Sequence, residues 1–97
     1  PPIDILEFET NYMIYISVPG ASTKDIRLSF DYDRNALIVS GQISKYDRTL
    51  RSSIRVIERA TGKFERYIPL PYSPRIDDTR IITNYTDGIL AISIPKL

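Results

Sequence analysis

Few residues in this 97-residue chain can carry chemistry, and their types close off most mechanisms before spacing is considered. Histidine and cysteine are both absent. Without them no Ser-His-Asp or Cys-His nucleophile can be assembled, and neither a thiolate metal site nor a disulfide framework is possible. What remains is a set of aspartates. Asp31, Asp33, Asp77 and Asp78 could formally act as a carboxylate pair in hydrolysis. All four fall in expected turns, where aspartate is favoured because its side chain bonds nearby backbone. Asp31-Tyr32-Asp33-Arg34-Asn35 opens like a calcium loop, but such a loop needs glycine at its sixth position and glutamate at its twelfth. Ala36 and Gln42 stand there instead. With 4 glycines, no phosphate-cradling loop is evident. Asn84-Tyr85-Thr86 matches a glycosylation sequon, yet lies in an expected strand. This inventory implies a protein that is not an enzyme, needs no cofactor and works through its surfaces.

One charged residue is conspicuous by position. In Phe64-Glu65-Arg66-Tyr67-Ile68-Pro69-Leu70, a period of two puts Arg66 on the face of Phe64, Ile68 and Leu70. A guanidinium on an apolar face costs several kcal/mol unless it is paired. Arg66 therefore asks for a carboxylate or backbone carbonyl, from this chain or from another subunit. The alternative is a side chain that snorkels from the strand end to water.

The elements that position these residues are strands. Asp87-Gly88 is a strong hairpin signal, because both central positions of a type I′ turn need positive φ. It joins the runs Arg80 to Tyr85 and Ile89 to Ile94. Leu90, Ile92 and Ile94 share one face of the second run, and Ile89 and Ala91 keep the other apolar, as for a strand inside a sandwich. Pro95 ends it. Tyr12, Ile14, Ile16 and Val18 form one face of the run Asn11 to Val18, which Pro19-Gly20 stops. Asp25 to Asp31 alternates cleanly, with Ile26, Leu28 and Phe30 on one face and Arg27, Ser29 and Asp31 on the other, as an edge strand does. Ile3 to Phe8, Ala36 to Ile43, Ile54 to Arg59 and Phe64 to Leu70 complete the strands. Residues 44–53 form the longest polar stretch, with Lys45, Asp47, Arg48 and Arg51. It is either a solvated loop or an arm that docks through Tyr46 and Leu50.

No stretch keeps helical periodicity over three turns. The chain is expected to be all-β, a single domain over residues 1–97, built as a two-sheet immunoglobulin-like sandwich of about seven or eight strands. A net charge of +1 offers no field for nucleic acid. No apolar run reaches the ~18 residues of a membrane helix, and no signal peptide opens the chain. The absent cysteines fit a reducing compartment. The opening Pro1-Pro2 reads as the start of an excised or processed domain, so missing targeting signals carry little weight.

Three motifs resemble the α-crystallin domain of small heat-shock proteins. Val18-Pro19-Gly20 followed by Asp25-Ile26 is similar to the family's leucine-proline-glycine turn and next strand. Gly62-Lys63-Phe64-Glu65-Arg66, ending at Leu70-Pro71, resembles its Gly-x-Phe-x-Arg…Leu-Pro strand. The 80–96 hairpin is similar to its Ala-x-x-x-Asn-Gly-x-Leu signature before Ile-Pro-Lys. Thr83 and Asp87 depart from the signature's alanine and asparagine, Ile68 stands where an aromatic is frequent, and Pro69 is unusual in that strand. Ile92-Ser93-Ile94 copies the family's Ile-x-Ile tail pattern but is core strand. Pro74-Arg75-Ile76 with Asp77-Asp78 resembles the large fungal members that sequester misfolded proteins.

The resemblance implies a cytoplasmic, ATP-independent holdase that dimerises, builds larger oligomers and binds partly unfolded clients, without nucleotide, metal, nucleic acid or membrane. The second possibility is a non-catalytic sandwich of the co-chaperone or adhesion type. The resemblance further implies that 44–53 is a protruding dimerisation loop, with Tyr46, Arg48 and Leu50 pairing beside Pro2, Ile3 and Ile5 of a partner and Arg66 at or near the interface. It also implies that Ile26, Leu28, Phe30, Ile81, Thr83 and Tyr85 line a groove for clients or for a neighbour's Ile-x-Ile tail.

Overall fold

The computed structural model describes residues 1–97. It contains β1 (Ile3–Glu7), β2 (Asn11–Ser17), β3 (Arg27–Asp31), β4 (Ala36–Ile43), β5 (Gly62–Pro69), β6 (Ile82–Thr86) and β7 (Ile89–Pro95). Short 3-10 turns occur at Thr23–Asp25, Arg48–Ser53 and Asp78–Arg80. The strands form two antiparallel sheets, ordered β1-β2-β7-β6 and β3-β4-β5. This is the expected all-β sandwich.

Alternation decides which side chains meet. In the β2–β7 ladder Tyr12 lies opposite Ile94, Ile14 opposite Ile92, and Ile16 opposite Leu90. All of these are buried, and they pack with Leu37 and Val39 of β4 and Ile68 of β5. Each aliphatic side chain removed from water contributes about 1.5–3 kcal/mol, so this layer dominates stability. β7 buries only the face of Leu90, Ile92 and Ile94; on its other face Ile89 is exposed and Ala91 half-buried, so that face is not covered within the chain.

Both ends of the sandwich are fastened by contacts between segments distant in sequence. At one end Asp87 (φ 55) and Gly88 (φ 79) adopt the left-handed pair of a type I′ turn. Val18 N–H donates to the Gly88 carbonyl at 2.8 Å. A Cβ on Gly88 would stand 3.1 Å from the Pro19 Cα, so the two turns dock backbone to backbone. At the other end the Lys96 amide donates to the Thr10 carbonyl at 2.9 Å. The Lys96 ammonium donates to Glu7 Oε2 at 2.9 Å and to the Phe8 carbonyl at 2.7 Å. That hydrogen bond, reinforced by the lysine charge, holds the Glu7 carboxyl below its ordinary range.

Three expectations need correction. Ile54 to Arg59 is not a strand. The connection between β4 and β5 runs through residues 44–61, and every residue from Ser44 to Ala60 is exposed. Alternation there has no neighbouring strand to pair with, and an unpaired strand in water gains nothing. Within the arm, Arg48–Ser53 winds as a 3-10 turn started by Asp47, whose side chain accepts from Thr49 N–H, where Arg48 and Leu50 were expected to pair beside a partner's first strand. Finally, β3 and β6 begin at Arg27 and Ile82, because Thr23–Asp25 and Asp78–Arg80 are wound as 3-10 turns.

The docked turns make a prediction. Gly20 (φ 84) and Gly88 (φ 79) both bar side chains by their φ, but only at Gly88 would a Cβ meet backbone closer than 3.4 Å. Gly20→Ala should cost about 1–2 kcal/mol from the left-handed conformation alone. Gly88→Ala should cost distinctly more in urea unfolding; equal losses would contradict the docking.

Candidate functional site

Two sheets that do not close into a barrel leave β1, β6, β3 and β5 each with one unpaired edge. Where the edge strand β3 faces the edge strand β6, the sandwich is open as a groove of about 390 Å³. Leu28 and Phe30 of β3 form one wall, Leu37 of β4 lies at the bottom, and Ile81 and Thr83 form the other wall. Leu28, Phe30 and Ile81 are half-buried, a state between core and surface that leaves apolar area in reach of another chain.

The structure thus brings together four of the expected groove residues, Leu28, Phe30, Ile81 and Thr83. It does not bring in the other two. Ile26 packs inward, its Cγ1 lying 3.5 Å from where a Cβ on Gly41 would stand. Tyr85 turns its hydroxyl to the Val18 carbonyl, 2.8 Å away. Sequence reasoning missed Tyr32, Leu37 and Asp78. Tyr32 was findable, since the period of two through Leu28 and Phe30 continues to it. Asp78 was not, because it enters from a turn distant in sequence.

Tyr32 and Asp78 close one end of the groove. The Tyr32 hydroxyl donates to Asp78 Oδ2 at 2.5 Å, and its ring stands edge-on to Phe30 with centroids 5.3 Å apart. The hydrogen bond to the carboxylate, and then the carboxylate charge, push the phenol above its ordinary range. The neighbouring aspartates do backbone work. Asp31 accepts from the amides of Asp33 (3.1 Å) and Arg34 (3.3 Å). Asp77 accepts from the Thr79 amide at 3.1 Å, and Thr79, ahead of Arg80, holds its carboxyl below the usual range.

The second open edge belongs to β1, which pairs only with β2. Pro2 and Ile5 are exposed there and Ile3 is half-buried. Arg66 lies close by. Half-buried, it donates from Nη1 to the Pro1 carbonyl at 2.6 Å, so its partner within the chain is a backbone carbonyl and not a carboxylate. Tyr46, Arg48 and Leu50 stand apart on the arm, exposed, together with Ile54, Val56 and Ile57. The radius of gyration, 15.8 Å against about 13 Å for a compact domain of this size, reflects the protrusion. Five large apolar side chains, Tyr46, Leu50, Ile54, Val56 and Ile57, are therefore left to water on this one segment.

Comparison with known proteins agrees with this fold. The family model described as Hsp20/alpha crystallin family matches residues 4–97. Heat shock protein 26 of Saccharomyces cerevisiae is 38% identical over 98 residues, which cover 99% of this chain and 46% of that protein. Heat shock protein 42 of the same yeast is 26% identical over 97 residues, covering 100% of this chain and 26% of that protein. The chain therefore spans less than half the length of either relative. Among solved structures, heat shock protein 16.0 from Schizosaccharomyces pombe superimposes with a TM-score of 0.88 at 28% identity, covering 100% of this chain and 73% of that one. A small heat-shock protein from Xylella fastidiosa gives 0.86 at 30% identity, covering 99% and 84%.

The Arg66 contact is testable by comparison with Arg34, whose side chain is 75% exposed and pairs with Asp31 at 3.4 Å. Arg34→Ala should change stability by about 0.5 kcal/mol or less, as surface changes do. Arg66→Ala should cost about 1–2 kcal/mol, since it removes a charge-assisted bond and leaves the carbonyl unpaired. Equal effects in denaturant melts would contradict a structural role for Arg66.

Proposed function

The chain belongs to the Hsp20/alpha crystallin family, and from that premise we propose that it is the dimerising domain of an ATP-independent holdase. The observation that carries the reading is the all-exposed arm of residues 44–60, rich in large apolar side chains, in a molecule whose β1 edge is unpaired. The arm of one protomer lies along β1 of another, setting Tyr46, Arg48 and Leu50 against Pro2, Ile3 and Ile5. Reciprocal exchange of one element closes a two-fold dimer at low cost. Residues 48–50 leave their 3-10 turn on pairing and gain the ladder bonds they lack alone. Arg66, bonded to Pro1 at the start of β1, steadies the edge that receives the arm.

Dimers of this kind assemble into larger oligomers, and the β3–β6 groove accepts an extended segment, either a client or the Ile-x-Ile tail of a neighbour. Period two sends both isoleucines of such a segment to the same side, toward Leu28, Phe30 and Ile81. Partly unfolded chains expose short apolar stretches of the same kind, so binding them at open edges limits their association with one another. No step of this activity requires catalysis or a cofactor. No helix of the protein is long and apolar enough to cross a membrane, and the cytoplasm is the proposed site of action.

Two measurements test the reading. Light scattering of a heated client should fall in the presence of the protein without ATP; undiminished scattering at a twofold excess would contradict holdase activity. Deletion of residues 45–51 should convert a dimer to a folded monomer in sedimentation equilibrium, and a persistent dimer would show that the arm is not the exchanged element.

A further inference from the structure

The groove between β3 and β6 has one charged side chain in its lining, Asp78, and it sits at one end. The chain's direction fixes which end. Tyr32 follows β3 and Asp78 precedes β6, so the Tyr32–Asp78 hydrogen bond bridges the two walls where β3 ends and β6 begins. Asp78 is half-buried. The ion pairs of the chain are Arg34 with Asp31, Arg80 with Asp77 and Lys96 with Glu7, and none includes Asp78. Even Arg80, two residues along the same turn, turns to Asp77 instead, at 3.0 Å. Asp78 is thus held by a phenol, whose ring is braced on Phe30, and has no cation partner within the chain at the end of an apolar groove.

The geometry points to a cation-selecting subsite: Asp78, presented by Tyr32, takes a lysine or arginine that flanks the paired apolar residues of a docked strand. This rests on the proposed reading of the groove as a strand-docking site, and adds which strands it prefers. A segment laid in the groove strips water from Asp78. That desolvation is offset if the segment brings a cation to the carboxylate and aggravated if it brings a second carboxylate. Apolar side chains two residues apart are separated by about 6.5–7 Å along a strand, so a residue just beyond the pair falls at the groove's end, within reach of a long side chain. The apolar walls supply affinity without discrimination, and the acid supplies the choice between strands of equal hydrophobicity.

The test uses two end-capped peptides, Lys-Ile-Thr-Ile-Lys and Glu-Ile-Thr-Ile-Glu, titrated into the full chain at low salt and followed by amide NMR shifts. Placing the charge at both ends makes the outcome independent of strand direction. The lysine peptide should bind about tenfold tighter, with shifts concentrated in residues 26–31 and 78–85. The preference should shrink at 0.5 M salt, as a partly exposed pair does. Asp78→Asn keeps an acceptor for Tyr32 and should bring the two affinities together. Equal affinities in the unaltered chain, with the same residues shifting, would overturn the subsite and leave the groove standing. A preference that survives Asp78→Asn would assign it to another charge and overturn the role of Asp78. Absence of shifts in the groove with either peptide would overturn the groove reading itself and the subsite with it.

Discussion

Two sheets of four and three strands bury one apolar layer between them, and nothing in the chain closes them into a barrel. From that single constraint the rest follows. Each outermost strand keeps a row of backbone donors and acceptors with no partner in the chain, and such rows invite another strand. The molecule manages these edges unequally. β3 carries Arg27 and Asp31 at its ends, with apolar residues between them only on its inner side. β1 is short, with Ile5 and Leu6 exposed between Asp4 and Glu7, and the exposed arm of a second copy is the segment proposed to cover it.

The core is rigid where the edges are open. β2 and β7 interleave isoleucines without a gap in register, and the turns at both ends are tied by contacts between residues far apart in sequence. Gly88 against Pro19 at one end and Lys96 against Glu7 and Phe8 at the other hold the hairpin that ends the domain to the strand that begins its core. A scaffold fixed this way can present unpaired edges without unfolding, because the free energy of the core does not depend on their being filled.

Legibility in the sequence followed the reach of each interaction. β2 and β7 could be read because burial imposes a period of two over several residues, and the Asp87-Gly88 turn could be read because only certain residues tolerate its φ angles. The same rule misled at Ile54 to Arg59, where alternation is present and the neighbouring strand is not. Half of the groove was legible for the same reason, as Leu28 and Phe30 alternate into it. Ile26 and Tyr85 obey the alternation too, but local packing on Gly41 and a hydrogen bond to Val18 draw them elsewhere. Asp78 could not be found, since its meaning depends on Tyr32, across the sandwich. Arg66 was singled out correctly as needing a partner, and alternation could not say that the partner would be a carbonyl of the first residue.

In the proposed dimer the open edge of β1 is covered by a second copy of this chain. Hydrogen exchange of the β1 amides that do not bond to β2, measured across a dilution series, tests it most directly. Exchange should be slow at concentrations where the protein is dimeric and rise toward free-amide rates as dimers dissociate, while β2 and β7 stay protected throughout. Fast exchange of those β1 amides at every concentration, with dimers present, would contradict it.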